Sequence, residues 1–263
     1  MTVDRRARLG LRTLVLAYLT VLLLVPVGLV FYRTFEHGLA PVWESITTPA
    51  AVHAFWLTIE IALIAVPLNT IFGVIAALAL VRGRFRGKAV VDALISLPFA
   101  LSPVVIGLAL LLVYGRGGWV SLPFQVIFSL PGMVLATVFV SLPFVAREVV
   151  PVLREIGDEQ EQAAATLGAS RWQAFWRITL PAIRWGVAYG VVLTTARAIG
   201  EFGAVSIVSG RIAGQTQTLT LLVEQRFQNF DLAGAYAASA LLGLIAIATL
   251  LAMTLLKPRK DTP

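Results

Sequence analysis

One apolar stretch gathers most of the side chains able to do chemistry: Thr194 and Thr195, then Arg197 and Glu201, then Ser206 and Ser209. Arg197 and Glu201 are four positions apart, so on a helix they share a face. Ionised side chains inside an apolar span face a bundle interior, a partner or a wet cavity. The cost of an unpaired charge in lipid favours an ion pair that pins helices together over direct contact with a solute. The four hydroxyls can donate hydrogen bonds to a polar passenger or bond back to the carbonyls of their own helix.

Covalent and metal chemistry is poorly provided for. The chain has no cysteine, which excludes disulfides, thiolate metal sites and a cysteine nucleophile. Its two histidines, His37 and His53, fall in a predicted external loop, so no histidine is available for a catalytic or metal centre inside a span. The stretch Gly83 to Ala89, GRFRGKA, resembles a phosphate-binding loop. It is one residue short between its glycines and has Ala89 where a magnesium-binding Ser or Thr belongs. It reads as a basic topological anchor, and no nucleotide site is expected in this chain.

The elements that hold these residues follow from composition. Of 263 residues 58% are hydrophobic and 13% charged, against about a quarter charged in soluble domains, which excludes an ordinary soluble enzyme. Six apolar windows read as membrane-crossing helices: Leu9–Phe31, Ala54–Leu80, Val90–Tyr114, Leu130–Val150, Pro181–Val208 and Ala233–Leu256. The first is too long for a signal-peptide core and is read as a retained span.

Lys and Arg concentrate in Arg5–Arg12, Arg82–Lys88, Arg147–Arg184 and Lys257–Lys260. The positive-inside rule places those segments, and with them both termini, in the cytoplasm. The net charge of +7 thus reports topology rather than nucleic acid. Pro26, Pro67, Pro98, Pro103 and Pro143 punctuate the spans as irregularities of packing. Gly186 and Gly190 allow close helix contact. Glu60 is expected to snorkel, Asn69 to bond an adjacent helix, and Asp92 to pair with the Arg82–Lys88 cluster.

One segment, 158–181, is too polar for lipid: DEQEQAAATLGASRWQAFWRITLP. Asp158-x-x-Glu161 suggests a capping pair, Gln162 to Leu167 a short helix, and Gly168 its left-handed stop. Ser170-x-x-Gln173 is a second capping box, starting a helix near Arg171 that runs through Trp176 and gathers Trp172, Phe175 and Trp176 on one face. Pro181 suits the first turn of the next span. On composition alone this is equally an amphipathic helix lying on the membrane and a protein-docking element.

The spacing of that segment resembles the cytoplasmic signature of membrane subunits of bacterial ATP-binding-cassette importers: E-A-A, three residues, G, nine residues, I-x-L-P. Gly168 sets the register, Ala163, Ala164, Ile178, Leu180 and Pro181 match, and Gln162 replaces the usual glutamate. The resemblance implies an all-α integral membrane fold of six helices, a single permease domain over residues 1–263 with a cytoplasmic coupling loop. Gln162, Ala163, Ala164, Gly168, Ala169, Trp172, Phe175, Ile178, Leu180 and Pro181 would engage a separate ATPase, and Glu161 offers a replacement for the missing glutamate charge.

ARAIGEFGAV, residues 196–205, with LPFALSPVVIG and PFVAREVV, is similar to oxyanion permeases, most of all to sulfate/thiosulfate permease subunits. That likeness implies a homologous second permease subunit, two ATPase subunits carrying ATP and magnesium, an external sulfate-binding protein, and a bacterial cytoplasmic membrane. Thr194, Thr195, Ser206 and Ser209 would then be candidate donors to a passing anion. The alternatives are a molybdate or tungstate importer, a stand-alone secondary anion transporter and an intramembrane hydrolase.

Overall fold

The computed structural model describes residues 5–36 and 38–256; His37 and Lys257–Lys260 lie outside them. Among the described residues the regular structure is helical throughout. α1 (Arg5–Leu19) passes through a π turn into α2 (Val25–Phe35), and α3 (Leu39–Thr47) leads to α4 (Pro49–Arg82). α5 (Lys88–Ala100) and α6 (Pro103–Tyr114) precede α7 (Leu130–Ser141) and α8 (Pro143–Ile156). α9 (Glu159–Thr166) and α10 (Arg171–Ala174) form the polar segment, and α11 (Leu180–Ile199), α12 (Val205–Val208), α13 (Leu219–Gln228) and α14 (Leu232–Leu256) complete the chain.

Among the described residues five helical stretches are long and apolar enough to cross a membrane, and one bent pair makes a sixth if it counts as one span. The expected span Val90–Tyr114 is therefore not one rod: α5 and α6 meet at 109°. Pro103 has no N–H to donate and disfavours helical geometry at the residue before it. Leu101 and Ser102 are accordingly extended.

The expected span Pro181–Val208 is corrected at both ends. Its helix starts early, at Arg171, and stops at Ile199, and only the four-residue α12 follows the break. The break at Gly200–Ala204 nests against the start of α6. A Cβ on Gly203 would lie 2.8 Å from the Pro103 side chain, and one on Gly107 would lie 2.7 Å from the Ala204 carbonyl oxygen. Two glycines thus let two interrupted helices interlock.

His53 is also corrected, because it sits in the second turn of α4 rather than in a loop. Thr48 caps that helix through the Ala51 N–H (3.3 Å), and Pro49 occupies a first-turn position where its missing donor costs nothing.

α4, α8 and α11 form the centre of the bundle. Val145 of α8 is fully buried between Gly73 of α4 and Gly190 of α11; a Cβ on either glycine would come within 2.8 Å of it. Gly186, one turn below Gly190, meets Val152 and the Glu148 carbonyl in the same way. The small-residue pair thus brings α11 onto α8. Around this contact Val74, Ala77, Leu80, Val149, Leu153 and Ile183 close an apolar core. A second core, built on Leu57, Ile106, Met133 and Val205, lies towards the opposite ends of these helices.

Candidate functional site

The polar segment begins at Gly157, whose φ of +65° ends α8. Asp158 makes no side-chain cap; the Gln162 N–H goes instead to its backbone carbonyl (2.9 Å), so the expected Asp158–Glu161 capping pair is not formed. Glu161 is engaged elsewhere. Its carboxylate meets Arg82, in the last turn of α4, through Nε (3.1 Å) and Nη2 (3.3 Å), and accepts from the Thr179 hydroxyl (2.8 Å). The same guanidinium donates to the carbonyls of Leu153 (3.3 Å) and Gly157.

Four chain segments are thereby tied at one point: the ends of α4 and α8, the first turn of α9 and the run into α11. Each charged hydrogen bond is worth on the order of 1–3 kcal/mol when shielded, and less here because both side chains keep about a fifth to a quarter of their exposure.

α9 ends in a Schellman turn. Gly168, at φ +85°, donates to the Ala165 carbonyl (3.0 Å), and the Ala169 N–H reaches back to Ala164 (3.0 Å). Ser170 and Gln173 then form the expected reciprocal box (3.3 and 2.9 Å).

The helix beyond does not stop at Trp176. It widens into a π turn over Phe175–Thr179 and runs on as α11, so that Pro181 lies within one continuous rod. The proline cannot donate to the Arg177 carbonyl, and a widened turn is where a helix accommodates such a defect.

Trp172, Phe175 and Trp176 cluster with ring centroids 5.4–6.0 Å apart. Phe175 and Leu180 turn towards the central core, and Ile178 is half-buried. Leu167, Trp172 and Trp176 point outward at 88%, 69% and 51% exposure. Gln162, Ala163 and Pro181 are exposed, Ala164 and Ala169 half-buried.

The intramembrane group is arranged differently. Glu201 is past the end of α11 and only 3% exposed; its Oε2 lies 2.6 Å from Arg197 Nη1, and its Oε1 accepts the Ala204 N–H (2.8 Å). The pair therefore bridges the helix break. Thr220 adds a hydroxyl bond to the Glu201 carbonyl (2.8 Å).

Three of the four candidate hydroxyls are spent on nearby backbone. Thr195 donates to Val191 (2.8 Å), Ser206 to Gly203 (2.8 Å) and Ser209 to Thr216 (2.6 Å). Thr194 is fully buried and its hydroxyl has no partner. Asn69 bonds the neighbouring helix through Val138 and Ser141, as expected, and Glu60 is exposed. Asp92 pairs with Arg147 (3.3 Å) rather than with the Arg82–Lys88 cluster. Among the described residues no three His, Asp or Glu side chains are grouped to hold a metal.

Sequence reasoning missed Arg82, Thr179 and Arg147. The partners of Arg82 are more than 70 positions away, beyond the reach of any local spacing rule.

A family model described as "Binding-protein-dependent transport system inner membrane component" matches residues 69–262, which includes the polar segment 158–181 (the elbow), the broken helix and α14. The chain belongs to this family. As a member it is a transport component and a multi-pass protein of the inner membrane, consistent with its long apolar helices.

The sulfate transport system permease protein CysW of Synechocystis sp. is 51% identical over 94% of this chain and 91% of its own length. The sulfate transport system permease protein CysT of Synechococcus elongatus is 42% identical over 91% and 88%. A crystal structure of a bacterial ABC transporter involved in the import of the acidic polysaccharide alginate superposes with a TM-score of 0.80 over 98% of both chains, at 16% identity. The permease fold is therefore common to the three.

Proposed function

We propose that this chain is one permease subunit of an ATP-driven importer that carries sulfate or thiosulfate into the cell. It pairs with a related second permease subunit, two cytoplasmic ATPase subunits and an external sulfate-binding protein. ATP and magnesium are held by the ATPases, and this chain supplies no nucleotide site. The identity to CysW and CysT supports the substrate class and a related partner permease. The family's dependence on a binding protein supports the external partner.

The basic segments flanking the spans support an orientation with both termini and the 158–181 elbow in the cytoplasm. The observation that carries the coupling role is the tie through Glu161. Leu167, Trp172 and Trp176 offer apolar surface outward, while Arg82, Glu161 and Thr179 fasten the same elbow to α4, α8 and α11. A partner gripping the exposed side chains moves three membrane helices together. Closing of the ATPases on ATP then shifts the subunit between outward- and inward-facing states, each favoured by its own set of contacts.

Arg197 and Glu201 act as a structural pair that holds the broken helix, and Thr194 keeps a buried hydroxyl without a partner. The test is uptake of labelled sulfate into vesicles holding the reconstituted assembly, with ATP inside the ATPase compartment. Uptake requires every partner; uptake by this chain alone would replace the reading with a secondary transporter.

A further inference from the structure

α8 carries a largely open face, marked by the exposed Arg147, Pro151 and Arg154 at spacings of four and three and bordered by α5 at Arg147. Arg147 lies within the membrane-crossing stretch Leu130–Ile156, on the half nearer the elbow. Its Nη2 contacts Asp92 Oδ1 of α5 (3.3 Å) and donates to the Ser96 hydroxyl, which itself donates to the Asp92 carbonyl (2.7 Å).

The arginine and aspartate side chains keep 43% and 45% of their exposure. An ion pair that open cannot face hydrocarbon at this depth. Nor does α5 turn its polar residues to the lipid: Asp92 and Ser96 share one face, and Val90 and Leu94, 62% and 60% exposed, occupy the opposite one. Asp92 lies one turn into α5, which starts at Lys88, so the half-exposed pair sits towards the elbow end of the bundle, turned away from the lipid-facing side of α5.

Nε and Nη1 of Arg147 have no partner among the described residues, and a planar guanidinium with two spare donor edges matches a tetrahedral oxyanion. We propose that Arg147 is an oxyanion relay site on the inward half of the transport route, with Asp92 as the partner that keeps the anion from being held. The passenger's chemistry rests on the sulfate reading above. A carboxylate already neutralising the guanidinium makes the anion a competitor rather than a trapped counter-ion, which is what conduction needs. Arg154, two turns or about 10 Å further along the same face, offers the next contact towards the elbow.

The experiment compares Arg147→Gln, Asp92→Asn and the double variant D92N/R147Q in the full assembly, recording sulfate uptake and ATP hydrolysis stimulated by the loaded binding protein. The wild-type rate tests the sulfate reading by itself, and each variant is scored against it with whichever oxyanion the wild type carries. The relay predicts that R147Q lowers maximal uptake about ten-fold while stimulated ATP hydrolysis persists, since one lost contact of roughly 1.4 kcal/mol is that factor. Asp92→Asn also slows uptake, by retaining the anion. The double variant leaves no unpaired charge, so it assembles, and it stays as slow as R147Q. A double variant restored to the wild-type rate would reduce the pair to a helix-pinning salt bridge and overturn the proposal.

Discussion

Arg82 and Glu161, 79 positions apart, close an ion pair at 3.1 Å that joins the end of a 34-residue helix to the first turn of the polar elbow. Through the Thr179 hydroxyl the same carboxylate reaches the helix leading into α11. The lever is thus fixed at its base by one carboxylate, and Gln162, where the family pattern has glutamate, is free to face outward.

Removing that carboxylate should disconnect the lever without dismantling the bundle. Glu161→Gln is expected to cost on the order of 1–2 kcal/mol, because Arg82 keeps its bonds to Leu153 and Gly157. Basal ATP hydrolysis by the assembly should persist while its stimulation by loaded binding protein falls several-fold, as read in a phosphate-release assay.

Gly168 holds a left-handed φ of +85°, and a side chain there meets no other atom within 4 Å. Gly168→Val therefore acts through backbone strain, costing about 1–2 kcal/mol and opening the Schellman turn. The assembly should still form on a sizing column, with sulfate uptake lost. Gly168→Asn, which tolerates this φ better, should recover a substantial part of the uptake.

At Gly190 the failure is steric. A Cβ would sit 2.8 Å from the Val145 backbone, so Gly190→Leu forces α11 off α8 at a cost above about 2 kcal/mol. Reduced melting temperature in detergent, together with reduced yield of the assembly, is the expected result. Gly28→Ala, with nothing within 4 Å, should change neither.

For the buried pair, Glu201→Gln strands the Arg197 charge while its amide oxygen can still accept the Ala204 N–H, a loss of roughly 3 kcal/mol. The double variant R197Q/E201Q should regain assembly if the pair is structural. Thr194→Val removes a buried hydroxyl that has no partner, so melting temperature should hold or rise by an amount worth about 1 kcal/mol. Uptake that also stays unchanged in Thr194→Val with Thr195→Val would remove both hydroxyls from the route.

The sequence made legible whatever is local or periodic. Apolar length marked the spans, Gly168 marked the end of α9, and Ser170 with Gln173 marked the start of α10. The breaks were hidden because an apolar run continues across them. Pro103 marked a local irregularity, but the approach of Gly203 to Pro103, which lets the second broken helix pack into the turn, is tertiary and has no local signature. The apolar residues after Gly200 likewise suggested a longer fifth span, although they pack against α6 as a separate short helix.

Asp158 was legible as a cap but lost that role, since Glu161 gains more from Arg82 and Thr179 than from its own helix terminus. Contacts of this range depend on tertiary packing, which spacing does not encode.

Coupling requires that an ATPase grip the elbow, and the chain's lack of cysteine makes that grip directly measurable. Leu167→Cys, at the most exposed apolar position of the elbow, can be cross-linked in the assembled complex to a cysteine introduced into the ATPase surface. The expected result is a high-yield cross-link whose yield changes when ATP is bound. A Leu167→Cys that forms no cross-link and reacts with a lipid-confined maleimide equally fast with and without the ATPase would contradict it.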